Sequence, residues 1–447
     1  MATHDSPAPI SQHKQVDHSQ IAHSATPSSR AGIVLGVLCL VYVLNFLCRQ
    51  LPAILGKQIE DSLHLTDGQF GMITGLYFAM FYTFISIPIG YLADRTSRSK
   101  VLALACAIWS GATMACGMAV GYVQFAISFV VVGFGEAGGV PPSYAIISDY
   151  FPPSRRGSAL GIFNLGPPIG AALGVAFGAS IAASYGWRAA FISLGAVGIF
   201  AVLGILFIVR EPPKGGLDSP AAMATGKAGF GATLANFCTK PSLLLAAFAS
   251  GANQFVTYGM GYFVVIFLLR EKGMTLKEVA VYYALVLAVA MSGSMFVSGR
   301  LLDWFTKRSK QAYALLPAIS LVFAIPFYIG FVWAPVWSTA LLFLSGTMFL
   351  NYFYLTSSVT LVQQEVRPDQ RVMSGALLLL VMNFIGLGLG PTYVGAASDF
   401  FHASFPHHAL QMALYTLVPF YVIAIVLFLC LARVLRRESR TAGEKVQ

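Results

Sequence analysis

The sequence predicts an all-α membrane protein, with twelve transmembrane helices in two pseudo-symmetric six-helix bundles. Three observations lead there. Of 447 residues, 57% are hydrophobic and only 10% charged, with mean hydropathy +0.72; a soluble domain carries about 25% charged residues. Twelve apolar stretches are long enough to cross about 30 Å of hydrocarbon. Local signals in the first six stretches reappear in the second six.

The stretches fall at about 31–56, 67–93, 99–120, 122–148, 156–182 and 189–209, then 241–269, 276–302, 310–332, 336–363, 371–397 and 409–434. Residues 1–30 are polar, carry four His and lack the pattern of a cleaved signal peptide. They are expected to be a disordered cytosolic tail, ahead of bundles at 31–210 and 241–434. Residues 211–240 form the expected cytosolic linker and 435–447 a basic tail. An even number of spans puts both termini on one side. With that side inside, only Lys57, Arg188, Arg270, Lys272 and Lys277 among the Lys and Arg residues lie at the external loops, and Arg49 alone lies deep within a span rather than at its end. The positive-inside rule then places both termini in the cytoplasm of a cell (inner) membrane. It also explains the net charge of +10, so no nucleic-acid partner is expected.

Thr66 opens the second helix as "TDGQ" and Thr275 opens the eighth as "TLKE", two capping boxes. "GYLAD" (90–94) and "GRLLD" (299–303) close the same two helices at the same offset. "LGPPIG" (165–170) and "LGPTYVG" (389–395) mark the fifth and eleventh helices. Two similar halves joined by a loop is the plan of alternating-access carriers, whose site lies between the halves near the midplane.

Within "VVGFGEAGGVPPSYA", Glu136 sits near the middle of the fourth span. An ionised residue there costs roughly 2.5–3.5 kcal/mol on insertion scales. Two readings are open. Exposed alternately to each side, Glu136 could load and release a proton; otherwise it is structural, paired with Arg49 or with backbone freed by "GGVPPS". Asn45, Asn253, Gln254, Asn351 and Asn383, with Tyr258, Tyr262, Tyr352 and Tyr354, lie at similar depth and outline a central cavity of little fixed charge. Amides also bridge helices without touching substrate. The six cysteines show no CxxC pairing, five of them lying in apolar runs. His13, His18 and His23 match no ligand spacing. No metal or cofactor is expected. Nor is an enzyme, since no nucleophile–base pair or phosphate loop occurs in the aqueous segments.

The loop "GYLADRTSRSK" (90–100) resembles the signature of the major facilitator superfamily, with Gly90, Leu92, Asp94, Arg95, Arg98 and Lys100 matching and Ser97 in place of a glycine. It suggests a cytosolic gate. Gly90 allows close helix approach, Asp94 faces the positive end of a helix in the other half, and Arg95 and Arg98 reach toward Asp149. Asp303 is the counterpart in the second half. The alternative is that the basic residues merely hold the loop inside.

"LNFLCRQLPAILGKQ", "VGFGEAGGVPPSYA", "YGWRAAF" (185–191), "VREPPKG" (209–215) and "GLGLGPTYVGAASDFF" (386–401) look like the spinster branch of that superfamily, over about residues 31–434. The resemblance implies proton-coupled or otherwise secondary transport, with small organic, lipid-like amphiphiles among the substrates. It also implies a monomer in the bilayer. Such proteins usually carry an aspartate where Cys48 stands, beside Arg49, and an arginine where Phe129 stands. One acid and one base are lost together, leaving Glu136 and Arg49, and Arg49, Cys48 and Phe129 are expected along the central cavity. Organic-anion symporters share several of these marks, so an organic-anion symporter or a uniporter, with Glu136 structural or substrate-binding, is the alternative. A membrane sensor would be expected to carry an added cytosolic domain, which the loops do not supply. "GPPIG" partly resembles an antiporter motif; its plainer reading is tight packing of the fifth helix.

Overall fold

A computed structural model describes residues 29–211, 230–367 and 370–444. Twelve helices in it are long and apolar enough to cross a membrane. The first six are α1 Arg30–Leu63, α2 Asp67–Ala93, α3 Arg98–Met118, α4 Tyr122–Tyr150, α5 Ser158–Tyr185 and α6 Trp187–Ile208. The second six are α7 Pro241–Arg270, α8 Leu276–Thr306, α9 Ala312–Trp333, α10 Trp337–Glu365, α11 Met373–His402 and α12 Ala409–Ser439. Among the described residues no strand occurs. The end of the bundle at which α1 begins and α12 ends is termed terminal here, the other distal.

Each predicted span has its helix. The largest departure is α1, which runs to Leu63 rather than 56. Its extra turns carry a Lys57–Asp61 pair at 2.6 Å, four residues apart on one face. Nearly all of the 1–30 tail lies outside the described residues, as do 212–229 of the linker. Phe230–Thr239 of that linker is a helix rather than plain loop. Thr233 and Phe237, one turn apart, are buried, and Asn236 Nδ2 donates to Gln370 Oε1 at 2.9 Å. At the chain's end, helix continues from α12 to Glu444.

The repeat is physical as well as textual. Both capping boxes form: Gln69 N–H donates to Thr66 Oγ1 at 3.2 Å and Glu278 N–H to Thr275 Oγ1 at 3.3 Å, with the reciprocal bonds also present. Each is followed by a π-helical turn, Ile73–Tyr77 and Val279–Tyr283. Helix packing repeats too. A Cβ at Gly170 in α5 would lie 2.4 Å from the Val43 carbonyl oxygen of α1, and one at Gly390 in α11 would lie 2.5 Å from the Phe255 carbonyl oxygen of α7. Glycine thus sets how closely α5 meets α1, and α11 meets α7. Each half has its own aromatic core, with Trp109, Phe125, Phe129 and Phe191 in the first and Phe263, Phe267, Tyr328 and Tyr421 in the second.

Candidate functional site

Glu136 is the last residue of a helical segment, because α4 is interrupted at Ala137–Gly139. Pro141 and Pro142 have no N–H, so the carbonyls of Ala137 and Gly138 lose their usual helical partners. The chain tightens instead, Gly138 N–H bonding to Gly135 O and Gly139 N–H to Glu136 O, both at 3.0 Å. Into this break α1 delivers Arg49. Its Nε donates to Glu136 Oε2 at 2.7 Å and its Nη2 lies 2.5 Å from the same oxygen. Arg49 is 6% and Glu136 1% exposed. The rings of Tyr82, Phe46 and Phe78 surround the guanidinium, with centroids 4.4, 4.9 and 5.3 Å from Cζ.

Glu136 Oε1 accepts no hydrogen bond from the protein, and Asn45 Nδ2 and Trp109 Nε1 donate none. Those two donors line a void of about 10 Å³ with Val41, Tyr42, Gly139, Ser143 and Phe163, room for about one water. Cys48 is buried beside this cluster at 2% exposure. Phe129, expected along a cavity, is instead buried in the aromatic core against Phe78, with ring centroids 5.1 Å apart.

The amides of the second half divide. Asn253 and Asn351, expected in the cavity, are fully buried. Asn253 Nδ2 donates to the Asn351 carbonyl at 2.9 Å, and Asn351 exchanges bonds with the Tyr421 hydroxyl at 2.9 and 3.0 Å, tying α7, α10 and α12 together. Gln254 Nε2 donates to Asn383 Oδ1 at 3.0 Å, joining α7 and α11. Asn383 and Tyr258 are half-buried, and the Tyr258 ring stacks at 6.5 Å on Tyr262.

At the distal end the halves lock together. Arg270 of α7 donates to both oxygens of Asp67 at 2.9 and 3.0 Å and to Glu60 Oε2 at 2.7 Å. Ser398 donates to Asp67 at 2.6 Å, and the Gly68 N–H to Asp399 at 3.1 Å. The backbones of α2 and α11 nearly touch. A Cβ at Gly71 would lie 2.4 Å from the Pro391 carbonyl oxygen, and one at Gly75 2.6 Å from Thr392 Oγ1. The Leu76 N–H, inside the π-turn, donates to Thr392 Oγ1 at 3.1 Å. The looser π geometry thus supplies a backbone donor to the other half; such turns recur at functional sites.

At the terminal end, ion pairs form inside each half. Arg98 of α3 pairs with Asp149 of α4, and Lys310, just ahead of α9, pairs with Glu365 of α10, which Lys240 also contacts. Glu211 accepts hydrogen bonds from Ser97 Oγ at 2.7 Å and from the Arg98 and Ser99 N–H groups at 3.0 Å, capping α3. Partial burial alone would raise its pKa, but bonds from Ser99, Ser97 and Arg98 hold it below the usual carboxylate range. Gly90 brings α2 against Pro141 of α4, 3.8 Å from where its Cβ would stand. Arg95 covers the Tyr91 ring at 4.2 Å, and Asp303 is exposed. The side chain of Asp94 lies outside the described residues.

Residues 38–391 match the model of the Major Facilitator Superfamily. The chain belongs to that superfamily. This major facilitator is 30% identical to an MFS-type efflux pump of Mycolicibacterium smegmatis, covering 87% of this chain and 89% of the pump. It is 24% identical to protein spinster homolog 1 of Xenopus tropicalis, over 86% of this chain and 76% of that protein. In three dimensions it is similar to a bacterial homolog of the human lysosomal transporter Spinster in an inward-facing, unoccupied conformation. That match has a TM-score of 0.86 at 30% identity and covers 92% and 98% of the two chains. The fold and the spinster-like character expected from sequence are thereby established for this major facilitator.

Sequence reasoning missed the distal lock. Glu60, Asp67, Arg270 and Asp399 read as loop or helix-end residues, and Thr392 only as part of "LGPTYVG". One signal was available: the repeat places Asp67 and Leu276 at equivalent positions after the capping threonines, so the acid belongs to one half only. Glu211 was visible only as part of "VREPPKG".

Proposed function

We propose that this chain is a secondary active transporter that moves a small organic, amphiphilic molecule by alternating access, with protons coupled through Glu136. One observation carries the reading: a buried carboxylate at a mid-span helix break, held by Arg49 through one oxygen while the other stays unpaired. Protonating Glu136 removes the charge that neutralises Arg49. The guanidinium, already within the ring cage of Tyr82, Phe46 and Phe78, is then free to bond an acceptor on the substrate. The inter-half contacts at the distal end correspond to a state closed on that side, in keeping with the inward-facing relative. Placing the terminal end in the cytoplasm follows from the basic residues concentrated there. We read the chain as a monomeric inner-membrane carrier, not an enzyme, with both termini cytoplasmic and no cofactor, metal or nucleic-acid partner.

The cytosolic gate belongs to the same proposal, in modified form. Arg98–Asp149 and Lys310–Glu365 hold each half rigid, so that the halves move as bodies. Gly90, Arg95, Asp94 and Asp303 remain candidates for contacts made when the terminal end closes. Substrate would meet Arg49, Asn45, Tyr258, Gln254 and Asn383. A uniporter or organic-anion symporter is the second reading, favoured by the same ion pair if it never opens.

The test is uptake into proteoliposomes of a fluorescent lysophospholipid and of ethidium, an aromatic cation, with and without an imposed proton gradient. Proton coupling predicts gradient-driven accumulation in the parent, and in Glu136→Gln only exchange without accumulation. Equal rates with and without a gradient in the parent would leave the uniporter.

A further inference from the structure

The distal lock has more acid than base. The Arg270 guanidinium faces two carboxylates, Glu60 from α1 and Asp67 from α2. They are not equivalently held. Asp67 accepts from Arg270 on both oxygens and from Ser398 Oγ as well, so each oxygen is satisfied as an anion. Glu60 is 3% exposed, and only its Oε2 is bonded; Oε1 accepts nothing. The other charges facing Glu60 change little. Lys57 and Asp61 on its own helix pair with each other at 2.6 Å. Asp399 of α11 is exposed and takes the Gly68 N–H. Arg188, at the start of α6, is engaged with Ser62 Oγ and the Ala119 carbonyl.

Two buried carboxylates sharing one cation leave an unneutralised charge, and like charges in one site push one acid to take up a proton. The free oxygen marks Glu60 as that acid. We propose that Glu60 is a proton-binding site of the distal gate, occupied when the gate is closed and emptied when the halves part. This rests on the alternating-access reading above. The proton comes from, and returns to, water on the distal side, so Glu60 sets when the gate opens; it carries nothing across. The sign follows from linkage. When the halves separate, Glu60 meets water and its proton affinity falls to that of an ordinary carboxyl. The closed state binds the proton more tightly, so acid on the distal side favours closure and alkali favours opening. A residue outside the central site thereby makes the resting orientation depend on external pH.

The experiment is hydrogen–deuterium exchange of the full chain in lipid nanodiscs from pH 5.5 to 8.5, with rates corrected for intrinsic exchange using unfolded protein. Peptides covering 66–76 and 388–402 report on the α2–α11 contact. Gly75→Val, which props that contact apart, supplies the open reference. The parent is expected to show protection falling severalfold as pH rises. Glu60→Gln should hold the acid-level protection at every pH, and Arg270→Gln, which strips the shared cation, should move the transition to higher pH. A parent that opens equally at all pH values, a Glu60→Gln that retains the parent profile, or an unmoved transition in Arg270→Gln would each overturn the inference while leaving alternating access intact. A parent that never approaches the open reference at any pH would instead overturn both.

Discussion

Arg49 and Glu136, 87 residues apart in the chain, meet through a single carboxylate oxygen, with Nε at 2.7 Å and Nη2 at 2.5 Å. The pair joins α1 to the broken α4 wholly inside the first half. Its state can therefore change the relation of α1 and α4 without pulling directly on the second half.

Glu136→Gln leaves Arg49 buried without its counter-ion. Breaking one side of a buried pair costs about 3–5 kcal/mol. A markedly lower thermal unfolding temperature in detergent is expected for the single variant, with most of the loss recovered in Glu136→Gln/Arg49→Leu. If the double variant is as unstable as the sum of the singles, the two side chains do not act as a unit.

Gly75→Val places a branched side chain where Thr392 Oγ1 would be 2.6 Å and the Gly388 carbonyl oxygen 2.7 Å from its Cβ. Neither neighbour is the end of a flexible chain. The distal end should fail to close, and distances between labels at exposed His64 and Ser404 should lengthen by several ångströms in a spin-label measurement. Unchanged distances would mean that α2 and α11 shift past one another to accept the bulk.

Glu211 caps α3 from the segment beyond α6. Because its pKa is depressed in the folded protein, the stability it contributes is present above the unfolded carboxylate pKa of about 4.3. It is lost as pH falls through the lower folded value. The gap in unfolding temperature between the parent and Glu211→Gln should be open at pH 7 and close as the pH falls through the depressed folded value. A gap independent of pH would assign the cap to side-chain shape rather than charge.

Asn351→Ala removes the side-chain partner of the buried Tyr421 hydroxyl, while the backbone carbonyl that Asn253 bonds stays in place. Leaving a buried polar group unpaired costs about 1–3 kcal/mol. The variant should lose stability by that order while keeping substrate affinity, which equilibrium binding of the fluorescent lysophospholipid would measure. A large loss of affinity at unchanged stability would return Asn351 to the substrate site.

The sequence by itself determined the twelve spans, their grouping in two halves and the caps at Thr66 and Thr275, because these depend on runs of apolar residues and on contacts within one helical turn. The mid-span position of Glu136 and the break prepared by Pro141 and Pro142 were legible for the same reason. Which polar side chains meet was decided only by the tertiary structure. Successive residues point about 100° apart around a helix, so Asn253 turns into the core of its half while Gln254 reaches Asn383. Phe129 likewise faces Phe78, and Asn45 lines one void with Trp109. The distal lock is more distant still: Arg270 meets Asp67 because glycines at 71, 75 and 395 let α2 and α11 approach to backbone contact. That approach depends on how two rigid halves come together, and no stretch within either half encodes it alone.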